Sequence, residues 1–187
     1  MDVQKCDIPG VLLTTLKKYG DKRGYFMEVF RKSVLEEHGV TCELVQDNQS
    51  VSSQHVLRGL HYQLRHPQAK LVRVVSGELY DVVVDIRRGS PTFGKSRGFL
   101  LSEENPQTLY IPPGCAHGLY VVSSTVVFHY KCSDYYHPED EGGVAWNDPA
   151  LAIQWPIPAG VQPILSEKDT RYPNLADVPD EKLPSYS

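Results

Sequence analysis

Long apolar runs are missing from this 187-residue chain. No stretch approaches the roughly 18 residues that a membrane-crossing helix requires. The opening Met1-Asp2-Val3-Gln4-Lys5 has no apolar segment of the kind that directs secretion. A basic surplus is also missing. Lys and Arg number 19 against 23 Asp and Glu, a formal net charge of −4. Broad nucleic-acid binding needs a basic stripe or surplus, so that class is set aside, whereas a small anionic ligand needs only a few local cations. Cysteine is scarce: Cys6, Cys42, Cys115 and Cys132 are widely spaced and form no C-x-x-C pair, which favours free buried thiols over a disulfide framework. The location expected from these absences is the cytoplasm, with no membrane and no nucleic-acid partner.

What is present is ordinary for a packed domain, with 41% apolar and 22% charged residues. No internal repeat and no linker divides the chain, so one domain over residues 1–187 is expected. A proline-rich tail from about Tyr172 should wrap the surface or fray. Strand patterns dominate. Val11–Leu16 is a β-branched and aliphatic run, Leu79–Ile86 alternates, Thr108–Ile111 is short, and Thr125–Lys131 places Phe128 and Tyr130 on one face. Turns at Ser76-Gly77, Gly89-Ser90-Pro91, Pro112-Pro113-Gly114 and Glu141-Gly142-Gly143 punctuate them, as in an all-β sandwich or barrel. One short helix is expected at Ser33-Val34-Leu35-Glu36, which has capping-box spacing, with Gly39 closing it.

Two clusters carry chemistry. In Arg58-Gly59-Leu60-His61-Tyr62-Gln63, His61 and Gln63 share a strand face and Arg58 has the wrong parity to join them. Gly59 lifts that objection, because glycine permits a bulge that re-aims Arg58. His61 alone reads also as a core histidine bonded to a backbone carbonyl. The second cluster, Pro112-x-Gly114-x-x-His117, resembles the second motif of the cupin superfamily, whose fold is a double-stranded β-helix or jelly roll. Metal-binding cupins use a His-x-His pair and a downstream carboxylate. Here the pair reads His61-Tyr62-Gln63 and the next stretch brings Lys70, a cation that opposes a divalent ion. No metal is therefore expected.

Along roughly residues 5–170 the chain resembles the dTDP-4-dehydrorhamnose 3,5-epimerase family. The matching stretches include Gly20-Asp21-Lys22-Arg23-Gly24-Tyr25-Phe26-Met27-Glu28, Val45-Gln46-Asp47-Asn48-Gln49-Ser50, Val56 to Gln63, Ala69-Lys70-Leu71-Val72-Arg73, Trp146-Asn147-Asp148-Pro149 and Leu165-Ser166-Glu167-Lys168-Asp169. The resemblance implies an all-β cupin-type fold with a few short helices, and a cofactor-independent isomerase. The implied substrate is a dTDP-linked 4-keto-6-deoxy sugar, with protons removed at C3 and C5. It carries His61 over as the base, Asp169 as its orienting carboxylate, Tyr130 as the acid on the opposite ring face and Lys70 as the partner of the keto oxygen. Arg23 and Arg58 correspond to phosphate-binding arginines, with Arg23 reaching a neighbouring subunit's site in a homodimer. Gln46, Asn48 and Glu28 correspond to nucleotide and sugar contacts, Tyr136 to an aromatic beside the base, and His117 with Asp81 to a second inward pair. Cys115, Leu119 and Cys132 depart from the residues more usual in the family, which leaves open inversion of one carbon instead of two, or another nucleotide-linked keto sugar. A non-catalytic sugar-nucleotide binder and a metal-dependent cupin are the alternatives of a different class.

The elementary chemistry is consistent with these roles. A proton beside a ketone is weakly acidic, and a neutral imidazole can remove it near neutral pH. A carboxylate behind the imidazole fixes the tautomer, and a nearby cation stabilises the enolate oxygen.

Overall fold

The computed structural model describes residues 1–186 and contains thirteen strands and one α-helix. In chain order they are β1 (Asp2–Lys5), β2 (Leu12–Thr15), β3 (Lys18–Asp21), β4 (Gly24–Met27), α1 (Lys32–Glu36), β5 (Gln46–Ser53), β6 (Leu57–Gln63), β7 (Lys70–Ser76), β8 (Glu78–Asp85), β9 (Ser96–Ser102), β10 (Gln107–Ile111), β11 (Cys115–Val121), β12 (Thr125–Cys132) and β13 (Glu141–Gly143). A six-stranded sheet runs β1-β2-β10-β7-β12-β5, and a five-stranded sheet runs β13-β6-β11-β8-β9. Every pairing in them is antiparallel. The two sheets enclose Val72, Val74, Leu79, Val83, Leu101, Leu109, Ile111, Leu119, Val121 and Phe128, the filling of a jelly roll.

The alternation along β8 shows how this core is divided. Val83 joins the layer between the sheets, while Val82 and Val84 face outward into a second apolar cluster. Leu175, Val178 and Leu183 of the C-terminal tail cover that outer face, so the tail wraps and does not fray. Its backbone is tied down as well, with Arg88 N donating to Pro184 O at 2.8 Å and Tyr186 N to Arg88 O at 2.9 Å. A sheet face lined with valine has to be covered, and the tail's spaced aliphatics do that.

The helix differs from its expected start. It begins at Lys32 with Arg31 before it and no side-chain cap, so Ser33 lies inside the first turn and its capping box does not form. The far end closes as expected. Gly39 takes φ +89, Val40 N donates to Leu35 O at 3.0 Å, and Leu35 and Val40 pack in one cluster.

At the end of β8, Asp85 is fully buried and accepts hydrogen bonds from Arg87 Nε at 2.9 Å, Ser90 Oγ at 2.6 Å and Thr92 Oγ1 at 2.6 Å. Burial alone would raise its pKa, but the Arg87 and hydroxyl bonds outweigh burial and hold it below the ordinary carboxylate range. Its contribution to stability is thus complete above the unfolded pKa of about 3.9 and fades as pH falls through the lower folded value. Asp85→Asn leaves Arg87 buried without its counter-ion, and urea unfolding at neutral pH is expected to show a loss of about 3–5 kcal/mol.

Candidate active site

A cavity of about 340 Å³ opens between the sheets and is lined by Gln46, Asn48, Arg58, His61, Lys70, Tyr130, Tyr136 and Asp169. Eight of the eleven site residues expected from sequence thus meet in one place. Arg58, His61, Lys70 and Tyr130 also border a smaller adjoining cavity of about 130 Å³, whose wall includes His117, Leu119 and Phe128.

Register explains the convergence. Cys132 pairs with both Gln46 and Lys70, and Tyr130 with both Asn48 and Val72, so these positions alternate onto one face of the six-stranded sheet. On the other sheet His117 is the direct partner of His61, but Leu119 is the partner of Arg58. Three steps on β6 therefore oppose two on β11, and the extra residue is a bulge that brings Arg58 to the face of His61. Gly59 makes the bulge possible. It has φ +121, and a Cβ there would lie 2.5 Å from Gly118 Cα.

His61 Nε2 lies 2.5 Å from Asp169 Oδ1, and Ser166 Oγ donates to the second carboxylate oxygen at 2.7 Å. An ionised carboxylate only accepts, so Nε2 carries the hydrogen and the lone pair of the neutral ring falls on Nδ1. Asp169 sits in a short 3-10 turn, Lys168–Thr170, with its side chain buried. Burial pushes its carboxyl up, yet the bonds from His61 and Ser166 prevail and the net direction is down. Asp169 is thus an ionised partner of the histidine as well as part of a terminal turn.

Tyr130 and Lys70 stand on the opposite sheet from His61. Burial raises the Tyr130 phenol, keeping it protonated, and burial lowers the Lys70 ammonium. Arg58 donates to Ser52 Oγ at 3.1 Å, and Gln46 Nε2 donates to Asn48 Oδ1 at 3.0 Å. His117 is bonded to Asp81 at 2.8 Å deep under the smaller cavity. Each inward histidine thus has Nε2 committed to a carboxylate, and Lys70 lies among them.

Arg23 and Glu28 are not brought to this cavity. The β3–β4 hairpin pairs with neither large sheet, and Arg23 at its tip points to solvent beside Asp21 at 2.6 Å. Just beyond the hairpin, Glu28 is engaged with Arg31 at 2.9 Å. The same hairpin exposes Tyr19, Tyr25 and Phe26, by as much as 69% for Phe26.

The cavity is also lined by residues that sequence reasoning did not single out, Glu141, Ser166 and Lys168, and Tyr172 packs against His61. Glu141-Gly142-Gly143 is a strand and not the expected turn. Burial raises the Glu141 carboxyl, but Lys168 at 2.5 Å and Tyr136 at 2.8 Å outweigh it and the net direction is down. Burial together with Glu141 pushes Tyr136 up to about 12. Gln63 bonds the His66 carbonyl and the His137 amide, at 2.8 and 2.9 Å, and ties two loops together. The Cys115 thiol is pushed up to about 12 by burial, so it packs as a neutral group.

The family model for dTDP-4-dehydrorhamnose 3,5-epimerase matches residues 5–177. The chain belongs to that family. A relative of the same description from Shigella flexneri is 49% identical over 179 residues, covering 95% of this chain and 97% of its own length. The solved dTDP-6-deoxy-D-glucose-3,5-epimerase of Legionella pneumophila, in complex with dTDP-4-keto-L-rhamnose, is 48% identical with a TM-score of 0.94 over 100% of this chain and 98% of that one. A 3'-monoepimerase from Streptomyces bikiniensis in complex with dTDP-quinovose is also similar, at 33% identity and a TM-score of 0.89 over 97% of this chain and 92% of that one. Membership in this epimerase family makes the chain an isomerase, and the cupin-type jelly roll is the fold it shares with these structures.

Proposed function

We propose that this chain converts dTDP-4-dehydro-6-deoxy-D-glucose to dTDP-4-dehydro-L-rhamnose by inverting C3 and C5. The observation that carries the proposal is the disposition of His61, backed by Asp169, on one sheet and Tyr130 on the other, with Lys70 beside Tyr130. Inversion at carbon requires a base on one face of the ring and an acid on the other, and two facing sheets supply two faces.

In this reading His61 Nδ1 takes the proton from a carbon next to the C4 ketone. The electron pair moves into the ring and onto the C4 oxygen, where the Lys70 ammonium offsets the charge. Tyr130 then delivers a proton to the same carbon from the opposite side, and the ketone re-forms. C3 and C5 both flank C4, so one base can serve both carbons. Asp169 stabilises the imidazolium throughout. No step calls for a cofactor. Arg58 and Lys168 provide positive charge for the diphosphate, and Gln46, Asn48 and Tyr136 provide hydrogen bonds and an aromatic surface for the nucleotide.

The test uses dTDP-4-dehydro-6-deoxy-D-glucose in deuterated water. Mass and NMR analysis of the product is expected to find one deuterium at C3 and one at C5. Label at C3 alone would replace the double inversion by a single one, the activity named for the Streptomyces bikiniensis relative; an unlabelled, unchanged sugar would reject epimerisation of this substrate.

We infer a cytoplasmic homodimer; its dimeric state is supported by the outward hairpin, with Arg23 and Glu28 of one subunit completing the other's cavity. Sedimentation equilibrium is expected to give twice the 21.0 kDa chain mass, and Arg23→Ala to weaken dTDP binding. A monomer with full dTDP affinity would refute this arrangement.

A further inference from the structure

We propose that Glu141-Gly142-Gly143 is the positioning element of His61, with Glu141 acting through Tyr172 on the plane of the imidazole. The inference rests on the reading of His61 as the base. β13 pairs with β6 so that Glu141 is opposite Gln63, Gly142 opposite Tyr62 and Gly143 opposite His61. With a two-residue period, Glu141 and Gly143 share the face of His61 and Gln63, and Gly142 lies on the reverse face with Tyr62.

Neither glycine has a positive φ, so backbone freedom is not what glycine provides here. Space is. A Cβ on Gly143 would run into the ring of Tyr172, and a Cβ on Gly142 into the ring of Tyr62. The bare backbone at Gly143 lets Tyr172 lie over the strand next to His61, with ring centres 5.7 Å apart and planes at 67°. This edge contact holds the imidazole in addition to the Asp169 bond, which fixes one nitrogen but leaves the ring free to pivot about it.

Tyr172 is itself fixed at its far end. Its O–H donates to Glu141 Oε1 at 2.9 Å, and the same carboxylate accepts from Lys168 Nζ at 2.5 Å and from the Tyr136 O–H at 2.8 Å. The Glu141 side chain is only 13% exposed, and three donors converge on it. Just beyond the strand, Val144 N bonds Leu60 O at 3.0 Å and Ala145 N bonds Pro173 O at 2.8 Å, which ties the chain after β13 to the His61 strand on one side and to the residue following Tyr172 on the other. One carboxylate thus joins Tyr172 beside the base, Tyr136 on the cavity wall and a lysine next in sequence to Asp169.

The closing experiment measures solvent-deuterium exchange and dTDP affinity for Tyr172→Phe, Gly143→Ala, Glu141→Gln and the Glu141→Gln/Tyr172→Phe pair. Tyr172→Phe removes only the O–H, and Gly143→Ala displaces the ring. Both are expected to lower kcat on the order of tenfold to a hundredfold, as misplacement of a reacting group does, while KM and dTDP affinity hold. Because Glu141 acts through Tyr172, the kcat effect of Glu141→Gln should shrink in the Tyr172→Phe background. A second measurement, the ring-proton NMR signal of the His61–Asp169 hydrogen bond, does not depend on turnover and should broaden in Tyr172→Phe. Wild-type exchange with all variants at wild-type kcat, or losses confined to KM, would overturn the positioning role alone. A wild-type protein without any exchange would remove the base assignment, and the inference with it.

Discussion

His61→Ala is expected to lower turnover on the order of 10²–10⁴-fold, the contribution of a positioned general base, while dTDP affinity stays within a few-fold of wild type. The two effects separate because of where the groups stand. His61 contacts Asp169 and Tyr172 and has no bond to Arg58, Gln46 or Asn48, the groups assigned to the diphosphate and nucleotide. Truncation does leave Asp169 without its principal partner in a buried position, so some loss of thermal stability accompanies the loss of rate. Stopped-time mass spectrometry of sugar incubated in deuterated water provides the measurement. Label entering the ring at the wild-type rate in this variant would show that another group removes the proton, and His117 is then the first to examine, because it borders the adjoining cavity.

Lys70→Met should produce the second large effect, a drop in kcat on the order of 10²–10³-fold, the range for loss of one donor to a developing oxyanion. Here stability should move the other way. The Lys70 ammonium is lowered by desolvation, the mark of a charge that would be better solvated in the unfolded chain. Methionine of similar shape removes that penalty, and the melting temperature is expected to hold or rise. The pH dependence has the same origin. The ammonium is needed in its charged form, so activity should fall on the alkaline side below the ordinary lysine value of about 10.4, and Lys70→Arg should extend it to higher pH. A Lys70→Met variant with full kcat, or one that loses rate only through unfolding, would exclude the enolate role.

The chemistry of the site was legible in the order of residues because it depends on residue type. A histidine followed two residues later by glutamine, where a metal-binding cupin has a second histidine, and then by a lysine argues for acid–base work, and Pro112, Gly114 and His117 mark a turn into a barrel. Strand alternation at Leu79–Ile86 and Thr125–Lys131 was equally visible, and the strands β8 and β12 lie over those residues to within a residue at either end. The role of Gly59 followed from glycine's conformational range, and the bulge is where that range is used.

Other features could not be read this way. Glu141-Gly142-Gly143 has the composition of a turn and becomes a strand, because pairing with β6 and packing of Tyr62 and Tyr172 over its glycines outweigh a weak local preference. Ser33 has the spacing of a cap, yet the helix starts at Lys32, one residue before it. The polar, proline-rich tail still inserts three aliphatic side chains into the outer face of β8, since a sheet face of valines gains more from cover than the tail loses in freedom.

By itself, then, the sequence determined the class of fold, and residue types and strand period, both local, pointed to acid–base work at His61 and away from a metal. The roles of Asp169 as orienting carboxylate and Lys70 as cation came from the ordered resemblance to the epimerase family, not from any local pattern. Only the tertiary structure decided which groups hold His61 in its plane, that Arg58 shares its face, and that Arg23 and Glu28 stand outside their own chain's cavity. These are consequences of register and of contacts between residues far apart in the chain, 108 positions for His61 and Asp169, and no local pattern encodes such a distance.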